Sequence, residues 1–257
     1  MPPADAAGVP LAYLTAAIGL YRNLGLKIPA KADQEGYAVP GDGDKPAAIL
    51  VYGAASTVGI YVSQLAKKLG LFVVGVAGAS ADAAKAYGAD VVVNYKSPNF
   101  EEELFAAVKE HAIHHVYDTV AEGGTYQLAA KAIDAIGGEN FLTTVLPIND
   151  QDQLPKSVKA VQTYVGDAHN PEKDGAQDFA AKFSKLAGVW LESGELKPQK
   201  VTVVPGGLAG VEEGLKRYQE NKVSGEKGRR SREADLGLLM TEPVRRTGWG
   251  RLPRTDE

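Results

Sequence analysis

The stretch that decides the fold is AILVYGAASTVGIYVSQLAKKLG, residues 48–70. A short apolar run leads through a turn of small residues into a segment whose apolar residues have helical spacing. Such a turn leaves the first N–H groups of the helix unpaired, and small side chains let a ligand approach them. Aligned with the pattern G-x-G-x-x-G, the turn has Ala54, Ser56 and Gly59 at the three glycine positions. Because only one of these is glycine, the stretch also fits a tight strand–helix turn that binds nothing.

The chain beyond this stretch continues the same alternation of strand and helix. The sequence predicts strands at Ala48–Tyr52, Leu71–Val76, Val91–Asn94, His115–Asp118 and Phe141–Leu146. It predicts helices between them at Thr57–Leu69, Ala81–Tyr87, Phe100–His111 and Thr125–Ile136. Short, continuously apolar strands that alternate with helices are typical of a parallel sheet covered on both faces. We therefore expect an α/β fold with a doubly wound parallel sheet of the Rossmann type.

The flanking segments define the predicted domain organisation. An apolar helix is expected within residues 9–25, an edge strand at Val158–Val165, and helices at Ala176–Ser193 and Leu208–Glu220 around a strand at Val201–Val204. We divide the chain into a helical segment (1–27), a Pro- and Gly-rich linker (28–46), a nucleotide-binding domain (47–224) and a poorly ordered tail (225–257).

Composition excludes several classes of protein. The formal net charge of −4 argues against a nucleic-acid partner, since such proteins present a basic face. The absence of cysteine removes disulfides, thiolate nucleophiles and cysteine-ligated zinc, and no metal-ligand spacing is present, so we expect no metal. No apolar run is long enough for a membrane span, and the N-terminus has no basic segment of a secretory signal. We therefore expect a cytoplasmic protein with no membrane partner.

The end of the second predicted strand bears on cofactor choice. An NAD site has an acidic residue there that accepts hydrogen bonds from the ribose hydroxyls. Here the strand runs into VVGVAGASADAAK, and the first carboxylate, Asp82, falls inside the next helix. Without that acid a 2′-phosphate meets no repulsion, and Ser80 can donate a hydrogen bond to it. This favours NADPH over NADH, although Ser80 also fits a simple helix N-cap.

Four segments in order, ILVYGAASTVG, YGADVVVNYK, VYDTVAEGG and VSGEK, carry a family resemblance. Together they resemble the medium-chain dehydrogenase/reductase superfamily, in particular its zinc-independent quinone oxidoreductase and enoyl reductase branch. The resemblance covers residues 9–227. It implies hydride transfer from NADP(H) to an activated double bond or carbonyl of a small-molecule substrate, with the cofactor supplying the reactive hydride.

The same resemblance assigns cofactor-binding roles along the chain. It places Thr15 near the nicotinamide, residues 55–59 at the pyrophosphate, Ser80 and Tyr95 near the adenosine phosphate, and three apolar residues in the cofactor cleft. The cofactor-binding residues that it implies are Thr15, Ala55, Ser56, Thr57, Val58, Gly59, Ser80, Tyr95, Val120, Val145 and Leu146. Each has a plainer alternative: Thr15 as a satisfied helix hydroxyl, and Val120 and Val145 as ordinary core. No proton donor or other catalytic residue is identified.

Two departures from the family pattern lead to further expectations. Family members begin with a GroES-like catalytic domain, whereas this chain starts where that domain ends, and GRRSREADLG replaces the apolar strand that would return to it. We therefore expect a truncated or alternatively spliced product or a faulty gene model. The alternative to a reductase is thus a catalytically incomplete NADP(H)-binding fragment or isoform. A unit that binds S-adenosylmethionine is a weaker alternative.

The predicted edge strand at Val158–Val165 leads to an expectation about assembly. An exposed apolar edge strand requires cover. We expect a homodimer that pairs these edges, the alternative being a monomer whose edge is protected by a polar loop.

Overall fold

The computed structural model describes residues 2–26, 46–220, 222 and 227–230. Most of the predicted linker (28–46) and of the predicted tail (225–257) lies outside these residues. The chain forms two compact units, one of residues 1–201 and 223–227, the other of residues 202–222 and 228–257. No helix in the described ranges is long and apolar enough to cross a membrane.

The first unit is built on a six-stranded parallel sheet in the order β3-β2-β1-β4-β5-β6. Its strands are β1 Ala48–Tyr52, β2 Phe72–Ala77, β3 Val91–Asn94, β4 His115–Asp118, β5 Asn140–Thr144 and β6 Val158–Gln162. The predicted fold class is therefore confirmed. The predicted edge strand is also present, but it ends three residues earlier, at Gln162.

Helices cover both faces of this sheet. The α-helices of this unit are α1 Pro3–Ala6, α2 Pro10–Ala17, α3 Gly59–Lys68, α4 Ala81–Ala86, α5 Phe100–Glu110, α6 Thr125–Asp134 and α7 Ala176–Ser193. Helices α2, α3 and α7 share one buried cluster with the sheet, and α5 and α6 share the other. Helix α2 continues directly into a π-helical segment, Ile18–Asn23. Because both faces of the sheet are covered at its centre, β1 and β2 are apolar throughout, whereas the edge strand β6 alternates between buried and more exposed residues.

Helix α3 begins at Gly59, two residues later than predicted. The N–H of Gly59 bonds to Ser56 Oγ at 2.9 Å, and the N–H of Ser56 bonds to the carbonyl of Gly53 at 2.8 Å. A serine side chain therefore satisfies a donor at the helix start. Thr57 and Val58 consequently belong to the turn, where apolar periodicity alone placed them in the helix.

The second unit contains α8 Gly210–Gln219 and all but the first residue of each of two strands, β7 Val201–Val204 and β8 Lys227–Arg230. Strands β7 and β8 form a two-stranded sheet. The segment GRRSREADLG, which follows VSGEK and has no apolar strand pattern, nevertheless begins within β8. Backbone pairing does not require apolar side chains, so the absence of an apolar pattern does not exclude such a strand.

Candidate functional site

Two glycines shape the turn between β1 and α3. Gly53 has a φ of 76°, and a Cβ there would lie 2.6 Å from Thr119 Oγ1 and 2.8 Å from Val120 Cγ2. A Cβ on Gly59 would lie 2.2 Å from the carbonyl oxygen of Gly53. The turn therefore holds its backbone in direct contact with itself and with the end of β4. The glycine pattern identified Gly59 but missed Gly53, whose position directly after the strand was the available signal.

Three backbone donors of this turn are available to a ligand. The N–H groups of Ala55, Thr57 and Val58 have no hydrogen-bond partner among the residues that the structure describes. All three residues are half-buried and lie just before α3. Unpaired N–H groups beside the positive end of a helix dipole favour an anion such as a pyrophosphate.

The hydroxyl of Ser56 is already engaged within the turn. Thr119 Oγ1 donates to the carbonyls of Tyr52 at 2.8 Å and Gly53 at 3.0 Å. Because Thr119 has only one proton, Ser56 Oγ donates across the 2.8 Å contact to Thr119 Oγ1. Ser56 thereby ties the turn to the end of β4. A role for its hydroxyl in phosphate binding stays a prediction, and a phosphate would compete with Thr119 for that proton.

Asp118, at the end of β4, supports the loop that carries Val120. Its Oδ1 accepts the N–H groups of Val120 at 2.8 Å and Ala121 at 2.9 Å, and its Oδ2 accepts the hydroxyl of Thr125 at 2.6 Å. Burial raises the pKa of Asp118, while these hydrogen bonds act in the opposite direction. Val120 itself is 37% exposed, which does not fit an ordinary core residue. Sequence reasoning missed Asp118 and Thr119 because neither belongs to the glycine pattern.

The predicted adenosine-phosphate residues lie at the ends of β2 and β3. The ring of Tyr95 covers Gly78, where a Cβ would lie 2.7 Å from Tyr95 Cε1, and half of Tyr95 remains exposed. Ser80 is half-buried and precedes α4, but its side chain makes no capping hydrogen bond. Asp82 lies in the first turn of α4, as predicted. Lys96, which sequence reasoning missed, brings its Nζ to 5.9 Å from the centre of the Tyr95 ring.

The remaining predicted residues lie directly after β5 and on α2. Val145 is half-buried and packs against the core, while Leu146 is 37% exposed. Thr15 is buried, and its hydroxyl donates to the carbonyl of Leu11 at 2.7 Å. That hydroxyl is therefore a satisfied helix hydroxyl in this structure. The carbonyl of Thr15 accepts a hydrogen bond from Tyr117, at 2.8 Å.

The described residues contain no group of three or more histidine, cysteine, aspartate or glutamate side chains that could hold a metal ion. Adjacent His114 and His115 have separate surroundings. His114 Nδ1 lies 2.9 Å from Asn140 Oδ1, and His115 stacks on Phe141.

These features meet at one place in the sheet. Strand β1 pairs with β2 on one side and with β4 on the other, so the strand order reverses between β1 and β4. Open α/β sheets bind ligands outside the carboxyl ends of the strands at such a switch point. The Gly53–Gly59 turn, with its free donors, stands at the end of β1, and exposed Val120 stands beside it. This combination defines a Rossmann-type dinucleotide-binding domain, whose backbone cradle and N–H groups fit a pyrophosphate.

Comparison with known proteins gives the family. Residues 57–181 match the family described as zinc-binding dehydrogenase. A trans-enoyl reductase of Alternaria alternata is 32% identical over 232 residues, which are 87% of this chain and 63% of that protein. A trans-enoyl reductase of Gibberella fujikuroi is 29% identical over 213 residues, 80% of this chain and 59% of that protein. The chain therefore spans about three fifths of the length of these curated relatives.

Solved structures share the fold. The CurK enoyl reductase superimposes with a TM-score of 0.64 at 18% identity, covering 90% of this chain and 64% of that one. CurA from Vibrio vulnificus, solved in complex with NADPH, has a TM-score of 0.60 at 20% identity, covering 89% and 65%. This chain belongs to the medium-chain dehydrogenase/reductase superfamily, as its four sequence segments predicted.

Proposed function

We propose that this chain is the cofactor-binding part of an NADPH-dependent reductase of the enoyl or quinone reductase type. The observation that carries the proposal is the Gly53–Gly59 turn at the switch point of the sheet, with its three free N–H donors. The sequence similarity to trans-enoyl reductases supports the reaction class. When bound, the nicotinamide cofactor supplies the hydride, and the protein supplies binding and orientation.

The end of β2 supports a preference for NADPH. No carboxylate stands between Ala77 and Asp82, and Asp82 is held within α4. Tyr95 presents an exposed ring beside Gly78, and Lys96 provides a cation nearby. In this proposal the 2′-phosphate is bound by Ser80, Tyr95 and Lys96. Lys96 adds a charge-assisted contact that NADH cannot use.

The nicotinamide half extends past β4 toward β5 in this proposal. Val120 and Leu146 expose apolar side chains at the carboxyl ends of these strands, and Val145 lies next to Leu146. Apolar walls exclude water from a hydride-transfer site, which strengthens its electrostatics. Thr15 approaches the same region from α2. The proposed substrate is either a quinone or a small molecule whose double bond is activated by a carbonyl. The second class is the kind of substrate that enoyl reductases reduce.

The proposal is tested by following hydride transfer directly. Purified chain is mixed with a crotonyl thioester and NADPH that carries deuterium at C4, and deuterium in the saturated product is measured by mass spectrometry. In a separate reaction with a naphthoquinone, whose reduced hydroxyls exchange deuterium with water, NADPH oxidation is followed by its absorbance instead. Deuterium in the reduced product supports the reductase. NADPH binding with no transfer to either acceptor supports the alternative, a nucleotide-binding unit that is catalytically incomplete as isolated. Because the relatives are longer, we expect the isolated chain to bind NADPH and to turn over weakly or not at all. No binding of NADPH contradicts both.

A further inference from the structure

A tyrosine hydroxyl joins the helix that carries Thr15 to the middle of the sheet. Tyr117 lies on β4 and is fully buried, and its hydroxyl donates to the carbonyl oxygen of Thr15 at 2.8 Å. The two residues are 102 positions apart. A buried tyrosine hydroxyl needs a hydrogen-bond partner, and here that partner is the backbone of α2.

The ring of Tyr117 also sets how closely α2 approaches the sheet. It lies against Gly19, where a Cβ would be 2.2 Å from Tyr117 Cε2. Gly19 belongs to the π-helical segment, and its carbonyl accepts the N–H of Leu24 five residues ahead. A π-helical turn within a helix is frequently found at a functional site. Tyr117 therefore contacts the backbone on both sides of the junction between α2 and the π-helix.

A second group of buried hydroxyls holds the far end of this segment. Asn23 Nδ2 donates to Thr163 Oγ1 at 2.7 Å, and Thr143 Oγ1 donates to the carbonyl of Val161 at 2.8 Å. Since each hydroxyl has one proton, Thr163 must donate across its 2.7 Å contact to Thr143 Oγ1. Thr143 and Thr163 are both buried. The directed bonds fix the π-helix to the ends of β5 and β6.

The hydroxyl of Tyr117 belongs to the same region. Burial raises the pKa of Tyr117, with a smaller opposing contribution from the nearby Thr163 hydroxyl. Tyr13, on α2 itself, makes a clear contrast. It is as buried as Tyr117, but its hydroxyl has no hydrogen-bond partner among the described residues. Only one of these two buried hydroxyls therefore constrains the position of α2.

We propose that Tyr117 is a positioning residue for the nicotinamide half of the cofactor. Its hydroxyl and ring fix the height and rotation of α2 over the sheet, and thereby set Thr15 against the nicotinamide. The inference rests on the proposed function, because it requires a nicotinamide beside Thr15. Displacements of about 1 Å at such a site are costly, since hydride transfer and ring binding both depend on geometry. The adenosine half, bound at the ends of β1 to β3, does not depend on this contact.

The test compares two ligands that differ only in the nicotinamide. Dissociation constants of NADPH and of 2′-phospho-ADP-ribose are measured by calorimetry for the wild type and for Tyr117→Phe. We expect Tyr117→Phe to raise the dissociation constant of NADPH roughly fivefold or more, about the effect of one lost hydrogen bond. The dissociation constant of 2′-phospho-ADP-ribose should stay within about twofold of the wild-type value. Tyr13→Phe, which removes the unbonded hydroxyl, should change neither constant. Tyr61→Phe loses a hydrogen bond from the N–H of Gln199 and serves as a stability-matched control that also changes neither.

Each other outcome overturns the inference in a distinct way. If both ligands bind equally more weakly, Tyr117 has a general structural role. If neither binds more weakly, Tyr117 has no role in positioning. In both cases the proposed function survives. If the wild type binds neither ligand, the proposed function fails and the inference fails with it. If Tyr117→Phe does not fold, as judged by near-ultraviolet circular dichroism, Gly19→Ala carries the same comparison, because its Cβ would lie 2.2 Å from Tyr117 Cε2 and must displace this segment from the ring. It should then weaken NADPH selectively, and an unselective result overturns the inference.

Discussion

The carbonyl oxygen of Gly53 occupies the space that a side chain on Gly59 would need, because a Cβ at position 59 would lie 2.2 Å from it. The oxygen belongs to the backbone, and the backbone fixes where a Cβ stands, so neither atom can rotate away. Gly59→Ala must therefore displace the turn or the start of α3. We expect this variant to lose about 1–3 kcal/mol of unfolding free energy, the usual cost of overpacking, and to bind NADPH at least tenfold more weakly. Urea unfolding and calorimetry measure the two effects.

The matched control is Gly188→Ala in the middle of α7. A Cβ there meets no atom within 4 Å. Alanine is a better helix former than glycine, so this variant should gain about 0.5–1 kcal/mol and leave NADPH binding unchanged. Wild-type affinity in Gly59→Ala would show that the close contact does not shape a ligand site.

Asp118 provides the second prediction, because its carboxylate accepts three hydrogen bonds at once. Asparagine at this position has only one acceptor oxygen, so Asp118→Asn leaves at least one donor unpaired. We expect a loss of about 1–3 kcal/mol in urea unfolding. Glu139→Gln is the control, since its ion pair with Lys159 is largely exposed, and it should cost less than about 0.5 kcal/mol. Equal effects of the two variants would contradict the assignment of Asp118 as the support of the Val120 loop.

His115 predicts a pH dependence of stability. Burial, aided by the neighbouring His114, lowers the pKa of His115 from 6.5 to about 4. The folded state therefore favours the neutral ring, and the unfolded state binds more protons between these two values. The stabilisation that the folded state gains from a neutral His115 is fully present above pH 6.5 and is lost as the pH falls toward 4. Between about pH 7 and about pH 5 we expect the wild type to lose roughly 2 kcal/mol through this group.

His115→Phe tests this because phenylalanine keeps the stacking on Phe141 and cannot be protonated. Urea unfolding of this variant should be less sensitive to pH over that window, whereas His169→Asn, which changes an exposed histidine, should retain the wild-type slope. An unchanged slope in His115→Phe would assign the pH dependence to other groups.

The exposed edge strand β6 is where the expected homodimer would pair. Strand β6 leaves Val161 exposed, and Tyr164, two residues beyond its end, is exposed as well. However, Gln151 Nε2 donates to the carbonyl of Ala160 at 3.2 Å, and Asn23 Nδ2 lies 3.4 Å from the carbonyl of Gln162. Both amides occupy carbonyls that a paired strand would need, so edge-to-edge pairing must displace them.

Light scattering over a range of concentrations measures the assembly. If the homodimer forms through β6, Val161→Lys should convert it to a monomer, and Val189→Lys, an exposed position on α7, should not. A wild type that stays monomeric at every concentration contradicts the dimer and identifies Gln151 and Asn23 as edge protection of the kind that exposed strands require.

The strands were predictable because their pattern is local. Strands β1, β3 and β4 have the predicted bounds, since each is a short apolar run between turn residues. The start of α3 was predicted wrongly because the Ser56 side chain, not apolar spacing, decides where the helix begins.

The candidate site was predictable only where a motif marks it. The motif marks residues 55–59, whose contact with a pyrophosphate stays a prediction, but the bond between Tyr117 and Thr15 joins positions 102 residues apart. The sequence around each of these two residues contains no pattern that predicts this bond. The threonine pair Thr143 and Thr163 was missed for the same reason, because it depends on the register of β5 with β6.

The central claim has two parts: the Gly53–Gly59 turn binds the pyrophosphate of a nicotinamide cofactor, and the chain prefers NADPH to NADH. The most direct measurement is a thermal-shift titration of the purified chain with NADPH and, separately, with NADH. Binding to the folded state alone raises the melting temperature in step with RT ln(1 + [L]/Kd). We predict a concentration-dependent rise with NADPH and a much smaller rise with NADH. A cooperative melting transition that neither cofactor moves would contradict the claim, because the chain would then be folded and the turn would bind no dinucleotide.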